Sequence, residues 1–132
     1  ANETANWNRA QAAARTAQWL EEFGEGIEVI FANNDDMALG AIDALADTPR
    51  DLWPLIVGVD ATAPALEAVA AGQLYGTVHN DGRGQAQAMI RLALALWNGE
   101  SPSQAVKLED GHYVWLPYRQ VTLENLEEFL EE

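Results

Sequence analysis

The chain has 132 residues, of which 48% are hydrophobic, and this is enough for one globular domain with a continuous apolar core. Its 21 acidic residues outnumber seven Lys and Arg, and the formal charge of -14 would repel nucleic-acid phosphates and anionic lipid surfaces. The sequence contains no cysteine, which excludes disulfides, thiolate metal sites and a cysteine nucleophile.

The sequence shows no membrane or targeting signal. No apolar run approaches the length needed to span a bilayer, and no basic stretch followed by an apolar one stands at the start. We therefore expect a soluble protein, with any export signal removed or located upstream of Ala1. Most of the negative charge is spread along the chain, which is typical of a solvated surface.

The first helix and strand patterns lie between residues 7 and 45. Apolar and alanine residues recur at helical spacing from Trp7 to Glu22, and two glycines then break the pattern. A run rich in β-branched and aromatic residues at 27–32 predicts a strand. A polar turn at 33–35 leads from this strand into a second predicted helix at 37–45.

The strand-and-helix unit then recurs twice. A strand is predicted at 54–59 with a helix at 64–71, and a third strand at 74–79 precedes a long helix at 83–97. Strands that alternate with helices across short polar turns imply right-handed crossovers and a parallel sheet covered on both faces. The predicted fold class is therefore α/β, a three-layer sandwich.

The last third of the chain has a different pattern. Residues 101–103 form a predicted loop, 112–116 a strand and 117–119 an extended link. A short acidic helix is predicted at 123–130, beginning near Thr122.

Polar side chains follow all three predicted strands of the repeated unit. In open parallel sheets, ligands bind beyond the carboxyl ends of the strands. Asn offers a donor and an acceptor and a carboxylate accepts several hydrogen bonds, so such a set matches a ligand with many hydroxyls, such as a neutral sugar. These residues are Asn33, Asn34, Asp35, Asp60, His79, Asn80 and Asp81.

The same residue types also cap helices. Capping is the better explanation for Asp35, whereas for Asn34, Asp60 and Asn80 the spacing leaves capping and ligand binding open. Trp7 either presents its ring to a sugar or packs in the core, and periodicity alone favours the core. The other four tryptophans are interpreted as packing residues.

No catalytic or metal constellation is evident. His79 and His112 are too few and too separated for a metal cluster, and no Ser-His-Asp or paired-carboxylate arrangement follows from the spacing. The segment 82–84 is a helix entrance too short for a phosphate-binding fingerprint. The chain is therefore not expected to be an enzyme.

Three segments together carry a resemblance to a known family. Residues 30–41 read Ile-Phe-Ala-Asn-Asn-Asp-Asp-Met-Ala-Leu-Gly-Ala, residues 57–60 read Val-Gly-Val-Asp, and 71–81 end in Thr-Val-His-Asn-Asp. They resemble the galactose- and glucose-binding members of the type I periplasmic binding proteins, which serve ABC sugar importers. The segments 4–11 and 125–129 follow the same pattern, so the resemblance runs nearly end to end.

The resemblance assigns roles to four residues. It implies that the ring of Trp7 stacks on one face of a hexose and that Asn34, Asp60 and Asn80 hydrogen-bond its hydroxyls. It moves Trp7 from the core to the ligand site. It also implies a membrane ABC permease and a chemoreceptor as partners, and a location in the periplasm, or lipid-anchored outside the cell in a Gram-positive parent.

The resemblance bears on metal binding as well. Glu28 matches a carboxylate that, in the family, reaches a calcium ion held mainly by an upstream loop of alternating oxygen ligands. That loop is not in this sequence, so the calcium site cannot be complete here. No cofactor is required for binding, and calcium is expected only in a full-length protein.

The chain resembles only the C-terminal part of such proteins, whose two lobes are joined by three crossings. The resemblance implies that 1–81 belong to the C-terminal lobe, 82–120 cross to the N-terminal lobe, and 121–132 return as a helix. Apolar faces that include Ile90 and Leu94 are then left uncovered. We expect the chain to need the missing N-terminal part or a second copy.

Two other functions fit parts of the pattern. The effector-binding domain of lactose-repressor-type regulators shares Asn-Asp followed by Met-Ala-Leu-Gly, but usually differs where this chain has 72–78. A phosphoacceptor receiver domain would use Asp35, Asp36 and Asp60 to hold magnesium. The later strands are not followed by the Lys that such a domain needs.

Overall fold

The computed structural model describes residues 1–130, so Glu131 and Glu132, at the end of the predicted return segment, lie outside the described part. The chain divides into two compact units. The first comprises residues 1–79 and the chain from Arg119 onward, and the second comprises residues 80–118. The assignment of segments to two lobes stays a prediction.

The first unit is an α/β structure built on one four-stranded sheet. The strands lie in the order β1-β2-β3-β4, with the first three parallel and the last antiparallel to β3. The predicted fold class is confirmed. The elements are α1 (Arg9–Phe23), β1 (Val29–Phe31), α2 (Asp35–Ala44), β2 (Leu55–Val57), α3 (Ala63–Ala70), β3 (Gly76–His79) and β4 (Arg119–Thr122), with 3-10 turns at Gly24–Gly26, Arg50–Leu52 and Leu126–Phe129.

Side chains that alternate along the strands give this sheet one buried and one exposed face. Ile30 pairs with Ile56 in register, and both are buried among apolar residues of α2 and α3. Val29, Phe31 and Leu55 point to the opposite face, where Phe31 is 82% exposed. The described helices therefore leave one face of the sheet exposed. The sequence, in contrast, predicts a sheet that helices cover on both faces.

Helices α1 and α2 pack closely because of a glycine. A Cβ atom at Gly40 would lie 3.0 Å from the Ala12 Cβ and 3.1 Å from the Ala13 backbone nitrogen. Beside this contact, the Arg9 guanidinium donates to both oxygens of Asp43 at 2.6 and 2.8 Å and holds the pKa of that carboxyl below its ordinary value. This exposed pair adds little stability by itself, so the close approach at Gly40 is the main constraint.

Three predicted elements of the last third are wrong. The first is the loop at 101–103, since a short helix, α5, runs over Pro102–Ala105. The strand at 112–116 is not formed, and the described segment shows only a single bridge, between Glu109 and Tyr113, because strand pairing needs a neighbour with matching hydrogen bonds. A strand forms instead at β4, which pairs with β3. The predicted terminal helix is a short 3-10 turn, which buries the side chains of Leu126 and Phe129.

The second unit consists mainly of α4 (Gly82–Trp97) and α5 (Pro102–Ala105). Asp81 caps α4 by accepting from the Gly84 N–H at 2.7 Å. The helix exposes a long apolar face, as expected. Trp97 is 88% and Trp115 68% exposed, so the interpretation of these two tryptophans as packing residues is wrong. The exposed apolar residues of α4 are Met89, Ile90, Leu94, Leu96 and Trp97. Across residues 1–130, no helix combines the length and apolarity that crossing a membrane requires.

Gly40→Ala is expected to destabilise the protein by about 1–3 kcal/mol, because the added methyl has no room against α1. In an uncrowded helix, replacing glycine by alanine increases stability. The sign of the change in unfolding free energy therefore shows whether Gly40 is crowded by α1. Urea unfolding followed by tryptophan fluorescence measures it. Gly26→Ala, where a Cβ meets nothing within 4 Å, is the control and should change stability by less than about 0.5 kcal/mol. Equal effects of the two substitutions would contradict the packing argument.

Candidate functional site

The carboxyl ends of the parallel strands bring two of the predicted polar turns together. The backbone N–H of Asp35, at the start of α2, donates to the Val59 carbonyl at 2.8 Å. The N–H of Asp60 in turn donates to the Val78 carbonyl of β3 at 2.8 Å. The turns that carry Asn34 and Asp60 are therefore neighbours at one edge of the sheet.

Asn34 is the N-cap of α2. Its side-chain oxygen accepts from the Met37 backbone N–H at 3.0 Å, which satisfies one of the unpaired donors of the first helical turn. The side chain is half-buried. Capping uses the carboxamide oxygen, and the amide nitrogen carries the donors that a ligand hydroxyl would accept.

Asp35 is not a helix cap, and that prediction is wrong because Asn34 takes the capping position. The Asp35 side chain is fully buried. Its Oδ1 accepts from the Thr77 hydroxyl at 2.6 Å, and its Oδ2 accepts from the Thr62 backbone N–H at 2.7 Å and the Thr62 hydroxyl at 3.2 Å. Sequence spacing gave no sign of this role, because its partners are 27 and 42 residues away.

The environment of Asp35 changes its acidity. Burial raises the pKa of the Asp35 carboxyl, the hydrogen bonds from Thr77 and Thr62 oppose this, and the charge of Asp60 raises it further. The net pKa is above the ordinary aspartate value. Space around the carboxylate is tight, since a Cβ at Gly58 would clash with its Oδ1 and lie 3.2 Å from the Ala38 Cβ.

The backbone is strained at two of the predicted ligand residues. Asp60 has φ 116 and Ala61 φ 53, while Asn6 has φ 51 and Trp7 φ 53. Positive φ is unfavourable for residues that carry a Cβ atom, and it clusters at functional sites because surrounding contacts must enforce it. Neither pair contains a glycine, the residue that usually marks a positive φ, so the sequence did not predict the strain at these positions.

Trp7 lies just before α1 and is 70% exposed. Its interpretation as a core residue from periodicity is therefore wrong, and the position implied by the family resemblance is consistent with this exposure. The neighbouring Asn6 amide donates to the Gln11 side-chain oxygen at 3.0 Å. Contact between the Trp7 ring and a sugar stays a prediction.

Asn80 belongs to the second unit, where it precedes α4. Its side-chain oxygen accepts from the Gln85 side-chain amide at 2.6 Å, and it is half-buried. The cap of α4 is Asp81 rather than Asn80, so capping does not account for Asn80. Its role as a sugar ligand stays a prediction.

Glu28 is exposed and lies directly before β1. Calcium takes six to eight oxygen ligands, and the described residues contain no group of three or more Asp, Glu or His side chains that could hold a metal. The role of Glu28 in a longer protein stays a prediction.

Comparison with known proteins identifies the family. Residues 1–101 match the model of a periplasmic binding protein domain. The D-galactose/methyl-galactoside-binding periplasmic protein of Haemophilus influenzae is 38% identical over 98% of this chain and 39% of its own length. A provisionally named rhizopine-binding protein of Rhizobium meliloti is 39% identical over 96% of this chain and 38% of its own length. An ABC transporter solute-binding protein from Bacillus halodurans, solved with myo-inositol, superimposes with a TM-score of 0.80 at 37% identity, over 96% of this chain and 40% of that one.

The chain belongs to the periplasmic binding protein family, and it spans about two fifths of the length of these relatives. The named relatives bind solutes and are not enzymes, in agreement with the prediction that this chain is not an enzyme. They bind different ligands, so the family by itself does not select galactose or glucose.

The pH dependence of stability tests the buried carboxyl. Because the folded-state pKa of Asp35 is raised, the stability that its protonation confers is complete below the ordinary pKa of about 4 and is lost as pH rises through the folded-state value. Asp35→Asn removes this dependence. The unfolding free energy of the variant relative to the native protein should therefore rise between about pH 4 and 7, as measured by urea unfolding.

Asp43→Asn is the matched control with the opposite sign. The pKa of Asp43 is lowered by Arg9, so its contribution is present above the ordinary aspartate pKa and is lost as pH falls through the folded-state value. The change should be smaller, because the pair is exposed. A difference curve for Asp35→Asn that stays flat across the range would contradict the raised pKa.

Proposed function

We propose that this chain forms one wall of the sugar-binding cleft of an ABC importer's solute-binding protein. The proposed ligand is a neutral hexose, with galactose and glucose as the first candidates. The observation that carries the proposal is the strained Asp60 turn beside the Asn34 turn, at the sheet edge where α/β proteins bind ligands.

Each proposed contact supplies a different kind of interaction. The exposed ring of Trp7 presents an apolar face to the C–H groups of a pyranose. The Asp60 carboxylate accepts hydrogen bonds from hydroxyls, and Asn34 and Asn80 donate from their amide nitrogens. Such a mixture matches a sugar, which has an apolar ring face and a rim of hydroxyl groups.

Charge favours a neutral ligand. The chain has a formal charge of -14, and Asp60 and the buried Asp35 lie at the same sheet edge. An anionic sugar acid would meet repulsion from these carboxylates. Neutral polyols such as inositol carry the same hydroxyl chemistry, and a relative was solved with one.

Transport is proposed over gene regulation. The relatives reported are a periplasmic galactoside-binding protein and an ABC transporter solute-binding protein, which supports transport rather than the repressor-type alternative. The proposed partners are therefore a membrane permease and, in a galactose-binding protein, a chemoreceptor. The proposed location is the periplasm.

Titration by NMR tests the site in this chain itself. Addition of galactose or glucose to the 15N-labelled protein should shift the Trp7 indole and the Ala61 and Thr62 amides saturably. A dissociation constant of about 1 mM or weaker, about -4 kcal/mol, is expected because a single wall leaves much of the sugar in water.

Matched variants complete this titration. Asp60→Ala should abolish the shifts, whereas Asp51→Ala, an exposed aspartate in the same unit, should leave them unchanged. Galacturonate should cause weaker shifts than galactose because of its charge. Absence of saturable shifts in the native chain, or equal responses of the two variants, would contradict sugar binding at this site.

Trp7→Ala separates ligand contact from packing. Since the ring is 70% exposed, the unfolding free energy should change by less than about 0.5 kcal/mol while the sugar-induced shifts disappear. Trp115→Ala, at 68% exposure in the second unit, is the control and should retain them. A loss of about 3–5 kcal/mol in stability would instead identify Trp7 as a core residue.

A further inference from the structure

The Asp60 turn is held from below by a buried hydrogen-bond network. The Thr62 N–H donates directly to Asp35 Oδ2 at 2.7 Å. The Ala61 N–H donates to the Thr77 hydroxyl oxygen at 3.3 Å, and that hydroxyl donates to Asp35 Oδ1 at 2.6 Å. The N–H groups of the two residues after Asp60 are therefore both linked to the Asp35 carboxylate. The Thr62 N–H bonds to it directly, and the Ala61 N–H is linked to it through the Thr77 hydroxyl.

We propose that Asp35 and Thr77 are positioning residues that hold the Asp60–Ala61 turn in its ligand-binding conformation. This inference rests on the proposed function, because it assumes that Asp60 contacts the sugar. Neither residue needs to touch the ligand, since Asp35 is 0% and Thr77 4% exposed.

The turn needs such support because its backbone is unfavourable. Asp60 and Ala61 both have positive φ, which residues with a Cβ atom seldom adopt without enforcing contacts. In the observed turn the Ala61 and Thr62 N–H groups point at the Thr77 hydroxyl and the Asp35 carboxylate, and a relaxed turn would give up these hydrogen bonds. The network therefore selects the strained conformation over a relaxed one.

The network has little freedom to move. Asp35 packs against the backbone at Gly58, where a Cβ atom would clash with Asp35 Oδ1 and lie 3.2 Å from the Ala38 Cβ. The Asp35 backbone is anchored as well, because its N–H donates to the Val59 carbonyl at 2.8 Å. A carboxylate fixed in this way transmits its position to the turn.

The effect on binding follows from the population of the competent turn. If the turn adopts its binding conformation only part of the time, apparent affinity falls by that fraction. A drop in affinity of about tenfold corresponds to about 1.4 kcal/mol lost from the competent state. Losses of this kind can occur while the apolar core around Ile30 and Ile56 stays packed.

Thr77→Val tests the proposal, because it keeps the shape of the side chain and removes the hydroxyl. Amide hydrogen exchange at Ala61 and Thr62 should become about tenfold faster, and the sugar dissociation constant from NMR should rise about tenfold. Thr77→Ser, which restores the hydroxyl, should return both values to within about threefold of the native protein. Asp35→Asn, which keeps the volume of the side chain, should resemble Thr77→Val in both measurements.

The two measurements separate this proposal from sugar binding. The positioning role would be overturned if Ala61 and Thr62 in Thr77→Val exchanged their amide hydrogens at the same rate as in the native protein. It would also be overturned if exchange at Ile30 and Ile56 became faster by the same factor. Selective acceleration at the turn with unchanged sugar affinity would overturn its link to binding. A native chain that shows no response to sugar would refute the proposed function. Faster amide exchange at Ala61 and Thr62 alone in the variant would still show that Asp35 and Thr77 position the turn.

Discussion

A single buried carboxylate fixes the relative positions of three parts of the chain. Asp35 opens α2, while its hydrogen-bond donors come from the start of α3 and from β3. A buried carboxylate is costly unless it is hydrogen-bonded, so the donors Thr62 and Thr77 must keep their places. The carboxyl edge of the sheet is consequently one connected structure rather than a set of independent loops.

That connection explains why the edge tolerates strain. The positive φ angles at Asp60 and Ala61 carry a free-energy cost that is offset by the hydrogen bonds of the following N–H groups. The cost and its compensation lie within the same unit, among residues that the sheet already orders. The strain at this end of the sheet lies in the turn at Asp60 and Ala61, while the apolar core below it is built from strands and helices.

The sequence predicted the periodic elements well, because apolar alternation and helical spacing are local signals. Helices α1 to α4 and the three parallel strands lie close to their predicted ranges. Prediction failed where distant contacts decide. Strand β4 forms because β3 has a free side along which it can pair. The segment 112–116 has a more strand-like sequence, but it forms only one bridge in the described structure.

The candidate site shows the same division between local and distant information. The polar turns followed from strand order and residue type, and Asn34 as a cap follows from the amides beside it. The buried role of Asp35 depends on partners 27 and 42 residues away, and the strain at Asp60 occurs without a glycine. The sequence identifies the side chains at a site, but it does not show which of them are positioned by hydrogen bonds from residues far away in the chain.

The contacts that shape this wall have a consequence for ligand affinity. Asn34, Asp60 and their supporting hydrogen bonds all belong to the first unit, so this unit alone sets the geometry of the proposed wall. Preorganised polar groups avoid the entropy cost of ordering on binding. On the proposed function, a second wall would increase affinity by removing more of the sugar from water rather than by rearranging the first, so a chain of two fifths the length of its relatives could carry one half of the site.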